Sequence, residues 1–381
     1  MTAELIRRVR GEIDGLDPLV RSVLDRYGFD AGRFLELVRR WHDGDLRPES
    51  CRVGGDVTPF PDELVEVLRE PGMPGWAEAR DAGLDIIRAG RAGALVLNGG
   101  MATRFGGVVK SAVEVLPGRT FLGLKLRQLE CLPAPVPAFL MNSFATDETT
   151  AEHLSALRPS VPVHLFAQGI AVRLAPDGHV FRDPANPPAT LYAPGHGDTG
   201  PAFRAAGLLR RFRDSGGEWL VVSNVDNLGA SVDPVVLGQV ALSGKRLAVE
   251  LAERWAGDMG GMAAVVDGTP QILEHFRFPE GFDHSPIRRF NTNTLVVHAD
   301  VFECDRPLTW FAVEKSVGVA PVVQFERLIG ELTAFEPTLF LGVPREGPRS
   351  RFVPVKSPAD LEAARPAIEE IVGAWGSPPG S

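Results

Sequence analysis

Cysteine is scarce in this chain. Cys51, Cys131 and Cys304 are the only three in 381 residues, far apart and in no C-x-x-C pair. That excludes a disulfide framework and argues against a structural zinc site. No apolar run approaches the length of a membrane span, about 18 residues. The N-terminus, MTAELIRRVRGEID, is charged and periodic rather than a basic tip before an apolar core, so no secretory signal is expected. A positive balance is also missing. Forty Lys and Arg stand against 49 Asp and Glu, a net charge of −9, which argues against a surface that coats nucleic acid. Glycine (41) and proline (32) follow no triplet period, which excludes collagen and favours a loop-rich, enzyme-like fold. The expectation is a soluble cytoplasmic protein that binds neither nucleic acid nor membrane.

With 44% hydrophobic and 23% charged residues, composition is ordinary globular usage, and wholesale disorder is excluded. At about 150 residues per domain the length suggests two to three domains. Residues 1–90 read as helical. Leu5, Ile6, Val9, Ile13, Leu16, Val20 and Val23 form one amphipathic stripe, and Phe34, Leu35, Leu37, Val38 and Trp41 a second. Pro61, Asp62 and Glu63 predict a third helix start, and residues 76–89 a further helix. From residue 94 the pattern changes to short apolar runs: ALVL (94–97), AFLM (138–141), VHLF (163–166), WLVV (219–222) and TLVV (294–297). Flanked by helix-like segments, these read as buried strands of an α/β sheet, beyond whose carboxyl ends ligands bind. The expected division is 1–90 (helical), 91–310 (the sheet) and 311–381 (a C-terminal segment).

Four stretches carry candidate chemistry. In LNGGMATRFGGVVKS (97–111), glycines after a strand let backbone N–H groups approach a phosphate, and Arg104 and Lys110 would add positive charge. The stretch is neither a P-loop nor a G-x-G-x-x-G fingerprint, and a simple turn accounts for the glycines as well. In PGHGDTG (194–200), His196 and Asp198 project between glycines, as in a site for a flat ligand or in a surface turn. In SNVDNLGAS (223–231), Asp226 follows a strand, where one carboxylate can hold Mg²⁺ or cap the next turn. In RSRFVPVKSPADL (349–361), Lys356 precedes a helix start at Ser357-Pro358.

Together with LMNSFATDE (140–148), FAQ (166–168) and FNTN (290–293), these stretches resemble, in order, the UDP-glucose pyrophosphorylase family of the eukaryotic type, over roughly residues 94–361. The resemblance implies a Rossmann-like, GT-A-like nucleotidyltransferase with a mixed sheet flanked by helices. Such an enzyme joins a nucleoside triphosphate, UTP by default, to a sugar 1-phosphate, glucose 1-phosphate by default, with Mg²⁺. It implies that Asn98, Gly99, Gly100, Gln168, Gly195 and Asp226 bind the nucleotide, with Gln168 reading the uracil edge and Asp226 near the metal. His196, Asn224, Asn291 and Asn293 would contact the sugar phosphate. Lys110, Lys356 and Arg104 would serve catalysis by neutralising phosphate charge.

This sequence departs from the family pattern in two places. Ala102 stands where the family has glycine, and Gly106-Gly107-Val108-Val109 before Lys110 is one residue shorter than the family loop and lacks its proline. GTP or another nucleotide, or a cyclitol 1-phosphate, therefore stays open, as does a silent nucleotide-sugar-binding relative. Members of the family continue into a β-helix often used for assembly. The match here is followed only by a short tail ending GSPPGS, so a monomer or weak dimer with a frayed tail is expected.

Overall fold

The computed structural model describes residues 2–100, 105, 107–258 and 260–375. The two N-terminal stripes become helices α1 (Thr2–Asp14), α2 (Pro18–Arg26) and α3 (Ala31–Asp43). Asp17 and Asp30 cap α2 and α3 by accepting the backbone N–H of Leu19 and Arg33, and Gly44, at φ 97°, ends α3. After the one-turn α4 (Pro48–Cys51), the helix expected at Pro61 does not form. Asp62–Leu64 is a single 3-10 turn between strands β1 (Val57–Pro59) and β2 (Val65–Val67). The central sheet captures β2 by pairing Val65 with Phe340 and Val67 with Gly342, and this overrides the local start signal. Helix α5 (Trp76–Arg88) follows as expected.

All five apolar runs are strands. They are β3 (Ala92–Leu97), β6 (Ala138–Asn142), β7 (Val163–Ala167), β10 (Trp219–Asn224) and β14 (Arg289–His298). Between them lie the small pairs β4 (Glu114–Leu116) with β5 (Arg119–Thr120), and β8 (Ala171–Val172) with β9 (Leu191–Tyr192). Later strands are β11 (Leu247–Glu253), β12 (Gly261–Val266), β13 (Thr269–Glu274), β15 (Phe311–Val317), β16 (Ala320–Glu326) and β17 (Thr338–Gly342). The remaining helices are α6 (Phe121–Glu130), α7 (Asp147–Leu157), α8 (Thr199–Ala205), α9 (Leu208–Asp214), α10 (Pro234–Leu242) and α11 (Pro358–Ala374).

The main sheet runs β2-β17-β11-β14-β10-β3-β6-β7, with β12, β13 and β1 branching from β14. Strands β10, β3, β6 and β7 are parallel, so Asn224, Leu97, Asn142 and Ala167 finish at one edge. Strand β14 runs antiparallel between β10 and β11, which makes the sheet mixed. One face buries Ile86, Leu122, Leu237 and Ile368 from α5, α6, α10 and α11; the other buries Phe203 and Phe212 from α8 and α9. A third cluster joins Val9, Val20 and Val38 of the N-terminal helices to Val172, Leu191 and Phe325. The expected cuts at 90 and 310 therefore do not separate cores. Strands from beyond both, β2 and β17, enter the one sheet, and the N-terminal helices share their core with residues from later in the chain.

Candidate active site

A cleft of about 610 Å³ opens where the four parallel strands end. It is lined by Asn98, Gly99, Gly100, Lys110, Gln168, Gly195, His196, Asn224, Asp226 and Lys356. Parallel register brings them together, because Leu97 sits opposite both Met141 and Asn224, and Gln168 follows the end of β7. Arg104 and Ala102 lie outside the described residues.

Lys110 lies in a 3-10 turn after the glycine stretch. Its Nζ donates to Asp226 Oδ2 at 2.5 Å and to the carbonyl of Val355 at 2.9 Å. The first basic motif, the aspartate turn and the C-terminal motif thus meet at one ammonium. Lys356, the residue after Val355, is exposed on the cleft, and its side chain makes no hydrogen bond or ion pair among the described residues. Its backbone N–H donates to Asp360 Oδ2 at 3.0 Å, and Ser357 caps α11. One lysine is held in the wall and the other stands free toward solvent.

Gln168 Oε1 accepts the N–H of Gly195 at 3.1 Å. Its Nε2 lies against Gly99, where an added Cβ would come within 1.9 Å of it. His196 Nδ1 accepts the N–H of Ile329 at 3.0 Å, which places the ring proton on Nε2. Burial, and then the nearby charge of Lys315, pushes its pKa down to about 4, so the ring is a neutral donor at pH 7. Asp198 is inward and structural, paired with Arg327 and accepting Gly169 N–H at 3.0 Å.

Asn98 is 3% exposed. Its Nδ2 donates to Asn142 Oδ1 and Thr150 Oγ1, each at 2.8 Å, so its side chain ties strand ends together. Asn293, at φ 56°, donates from Nδ2 to Asn224 Oδ1 at 3.1 Å, and its N–H donates to Asn291 Oδ1 at 2.9 Å. Of these three only Asn224 lines the cleft; Asn293 stands behind it and Asn291 behind Asn293. Asn291 Nδ2 and Glu274 Oε1 each sit 3.0 Å from where a Cβ of Gly261 would be. Burial raises the Glu274 carboxyl to about 7, and that carboxyl makes no hydrogen bond or ion pair among the described residues.

The residues above match a known family. The family model described as UTP–glucose-1-phosphate uridylyltransferase matches residues 89–367. The chain belongs to that family. The enzyme of that name from Solanum tuberosum is 33% identical over 94% of this chain and 76% of its own length; that from Hordeum vulgare is 30% identical over 96% and 79%. Among solved structures, the UDP-glucose pyrophosphorylase of Leishmania major matches with a TM-score of 0.68 at 25% identity, covering 90% of this chain and 77% of the other.

The fold adds residues to the cleft wall that the motifs alone do not point to. Hairpin β15–β16 and the segment after β8 contribute Lys315, Gln324, Glu326 and Arg173 to the wall. Lys315 pairs with Glu326. In the orientation that satisfies both ends of its amide, Gln324 accepts from Arg173 Nε at 2.6 Å and donates to Glu326 at 3.1 Å. Nothing local in VEKSVGVAPVVQFE marks these residues, since charges alternating along a hairpin usually face water. The donor set suits Mg²⁺ only in part. No group of three His, Cys, Asp or Glu could hold a metal among the described residues. Asp226 keeps Oδ1 clear of Lys110, and Mg²⁺ commonly takes one carboxylate with substrate phosphates and water. Among the described residues, no helix is long and apolar enough to cross a membrane.

Proposed function

We propose that this chain makes UDP-glucose and pyrophosphate from UTP and glucose 1-phosphate. The observation that carries the reading is the convergence of Lys110, Asp226 and Lys356 at one mouth of the cleft, beside the Gln168–Gly195 contact. A phosphate oxygen of glucose 1-phosphate attacks the α-phosphorus in line. The new P–O bond forms as the bond to the β-phosphate oxygen breaks, and pyrophosphate carries the electron pair away. The attacking oxygen is already ionised, so no strong general base is needed. Alignment and charge neutralisation supply the rate. Lys110, fixed on Asp226 and Val355, presents a preset cation. Lys356, free on the opposite segment, can follow the phosphates as they rearrange. Mg²⁺, bound by Asp226 and the phosphates, would offset the charge of two anions brought together.

Gln168 and Gly99 form the floor for the base. The Gln168 amide meets uracil's N3–H and O4 with its second lone pair and its donors. We assign the sugar hydroxyls to the neighbourhood of Asn224, which lines the cleft and whose Oδ1 accepts from Asn293 Nδ2, with Asn291 holding Asn293 from behind. A matrix of four nucleoside triphosphates against glucose, other sugar and cyclitol 1-phosphates, followed by pyrophosphate release, tests the reading. UTP with glucose 1-phosphate should lead. A clear GTP or cyclitol preference overturns the substrate assignment, and binding without turnover for every pair overturns the reaction.

A further inference from the structure

Lys125 is a lysine where the fold calls for an apolar side chain. It sits mid-way along α6, 6% exposed, within a wall of Leu122, Leu126, Leu140, Val221 and Val232. Burying an ammonium there costs several kcal/mol unless its protons are well received. They are received by two specific groups. Nζ donates to Ser223 Oγ at 3.1 Å and to the carbonyl of Ala230 at 2.5 Å. Ser223 is the penultimate residue of strand β10, and Ala230 lies on the far side of the loop that carries Asp226. One ammonium therefore bridges the two feet of the Asp226 loop.

The same loop is held from above by the C-terminal motif. Asn227 donates to the carbonyl of Arg351 at 3.1 Å and accepts the N–H of Val353 at 2.9 Å. Arg351, buried and paired with Glu250, donates to the carbonyl of Ser231 at 2.9 Å. The loop is thus gripped between α6 and the segment leading to Lys356, and Asp226 at its crest holds Lys110.

We propose that Lys125 is a positioning residue: by closing the base of the 223–230 loop it fixes Asp226, and through Asp226 it fixes Lys110 over the reacting phosphates. The proposal rests on the nucleotidyltransferase reading for its catalytic consequence, but its geometric consequence stands apart. Replacement by methionine fills the same apolar space and removes a costly buried charge, while leaving the Ala230 carbonyl without its donor. A merely structural lysine would lower Tm and leave the folded enzyme's turnover intact. Loss of a positioning lysine lowers turnover in an enzyme whose Tm is little changed.

The test is Lys125→Met in the full chain, with three measurements. Lys110 acylation by acetic anhydride, read by peptide mass spectrometry with exposed Lys245 as control, should rise at least threefold as Lys110 leaves Asp226. Turnover of UTP with glucose 1-phosphate should fall at least tenfold in kcat, with KM within threefold. Tm should move by less than a few degrees. Unchanged Lys110 labelling overturns the proposal, as does unchanged kcat in an active wild type. If the methionine variant unfolds, Ser223→Ala, which removes one acceptor only, decides by the same labelling. No wild-type turnover with UTP would sink the substrate reading alone, because labelling reports on Lys125 without catalysis.

Discussion

Gln168 and Gly99 are in contact so close that position 99 has no room for a side chain: a Cβ there would lie 1.9 Å from Gln168 Nε2. The contact fixes the amide on the cleft wall, with Oε1 already receiving Gly195 N–H. Gly99→Ala should push the amide aside rather than unfold the chain, because the clashing atom ends a flexible side chain. UTP affinity by calorimetry should fall at least tenfold, with discrimination against GTP reduced. Unaltered UTP affinity would remove Gln168 from base recognition.

Lys110→Ala and Lys356→Ala should each lower kcat by about 10²–10³-fold, the scale of losing one preorganised donor to a developing negative charge. Their stabilities should differ. Lys110 is bonded at both Asp226 and Val355, so its removal leaves a carboxylate unpaired and lowers Tm. Lys356, exposed and unpaired, should leave Tm within about a degree, since such surface changes are near neutral. Single-turnover kinetics with calorimetric scans separate the two, and normal turnover in either variant removes that lysine from the reaction.

Asp226→Asn keeps the shape and removes the charge. The Mg²⁺ concentration for half-maximal activity should rise severalfold while Tm falls modestly. An unchanged Mg²⁺ curve would show that the substrate phosphates alone hold the ion, and full activity in chelator would show that the ion is not needed.

Lys125 makes stability depend on pH in a set direction. Burial first, and then the charge of Arg351, pushes its pKa down to about 7. Between about 7 and its ordinary value near 10.5 the unfolded chain holds a proton that the folded chain has lost, so stability rises with pH across that window and is lowest below it. Lys125→Met lacks this dependence. Its Tm advantage over wild type should be largest at pH 6.5 and shrink by pH 9, the difference changing by up to about 1.4 kcal/mol per pH unit. A constant offset across that range would show that Lys125 titrates outside it.

Gly83 and Gly238 test the scaffold away from the chemistry. A Cβ on Gly83 would come within 1.8 Å of the Pro234 carbonyl, and one on Gly238 within 1.7 Å of the Ala79 carbonyl. Here backbone meets backbone between α5 and α10, and nothing flexible can yield. Either glycine to alanine should destabilise by several kcal/mol despite alanine's better helix propensity. Chemical denaturation measures this, and a variant as stable as wild type would show that the two helices can slide apart.

The features legible in the sequence were local ones. Five apolar runs read as strands because their period and length encode burial, and the motifs follow their ends because a strand's carboxyl end is where a loop must begin. The start of α11 was legible for the same reason, since Ser357 acts on the N–H of Asp360 three residues away, whereas the single stripe from Leu5 to Val23 gave no sign of the break at Asp17 that divides α1 from α2. What only the tertiary structure decided depends on partners far along the chain. Val65 and Val67 became a strand because β17 lay open to pair with them. Asn98 turned inward because Asn142 and Thr150 stood beside it. Gly83, which reads as a weak point in a helix, is required because α10 crosses there. Lys315 and Gln324 joined the cleft because the third core folds their hairpin against it, and Lys125 is buried because α6 lies across β10. Local periodicity carries no record of which distant backbone will supply an acceptor. The sheet order assigns those partners, and it is set when all the apolar faces are buried together.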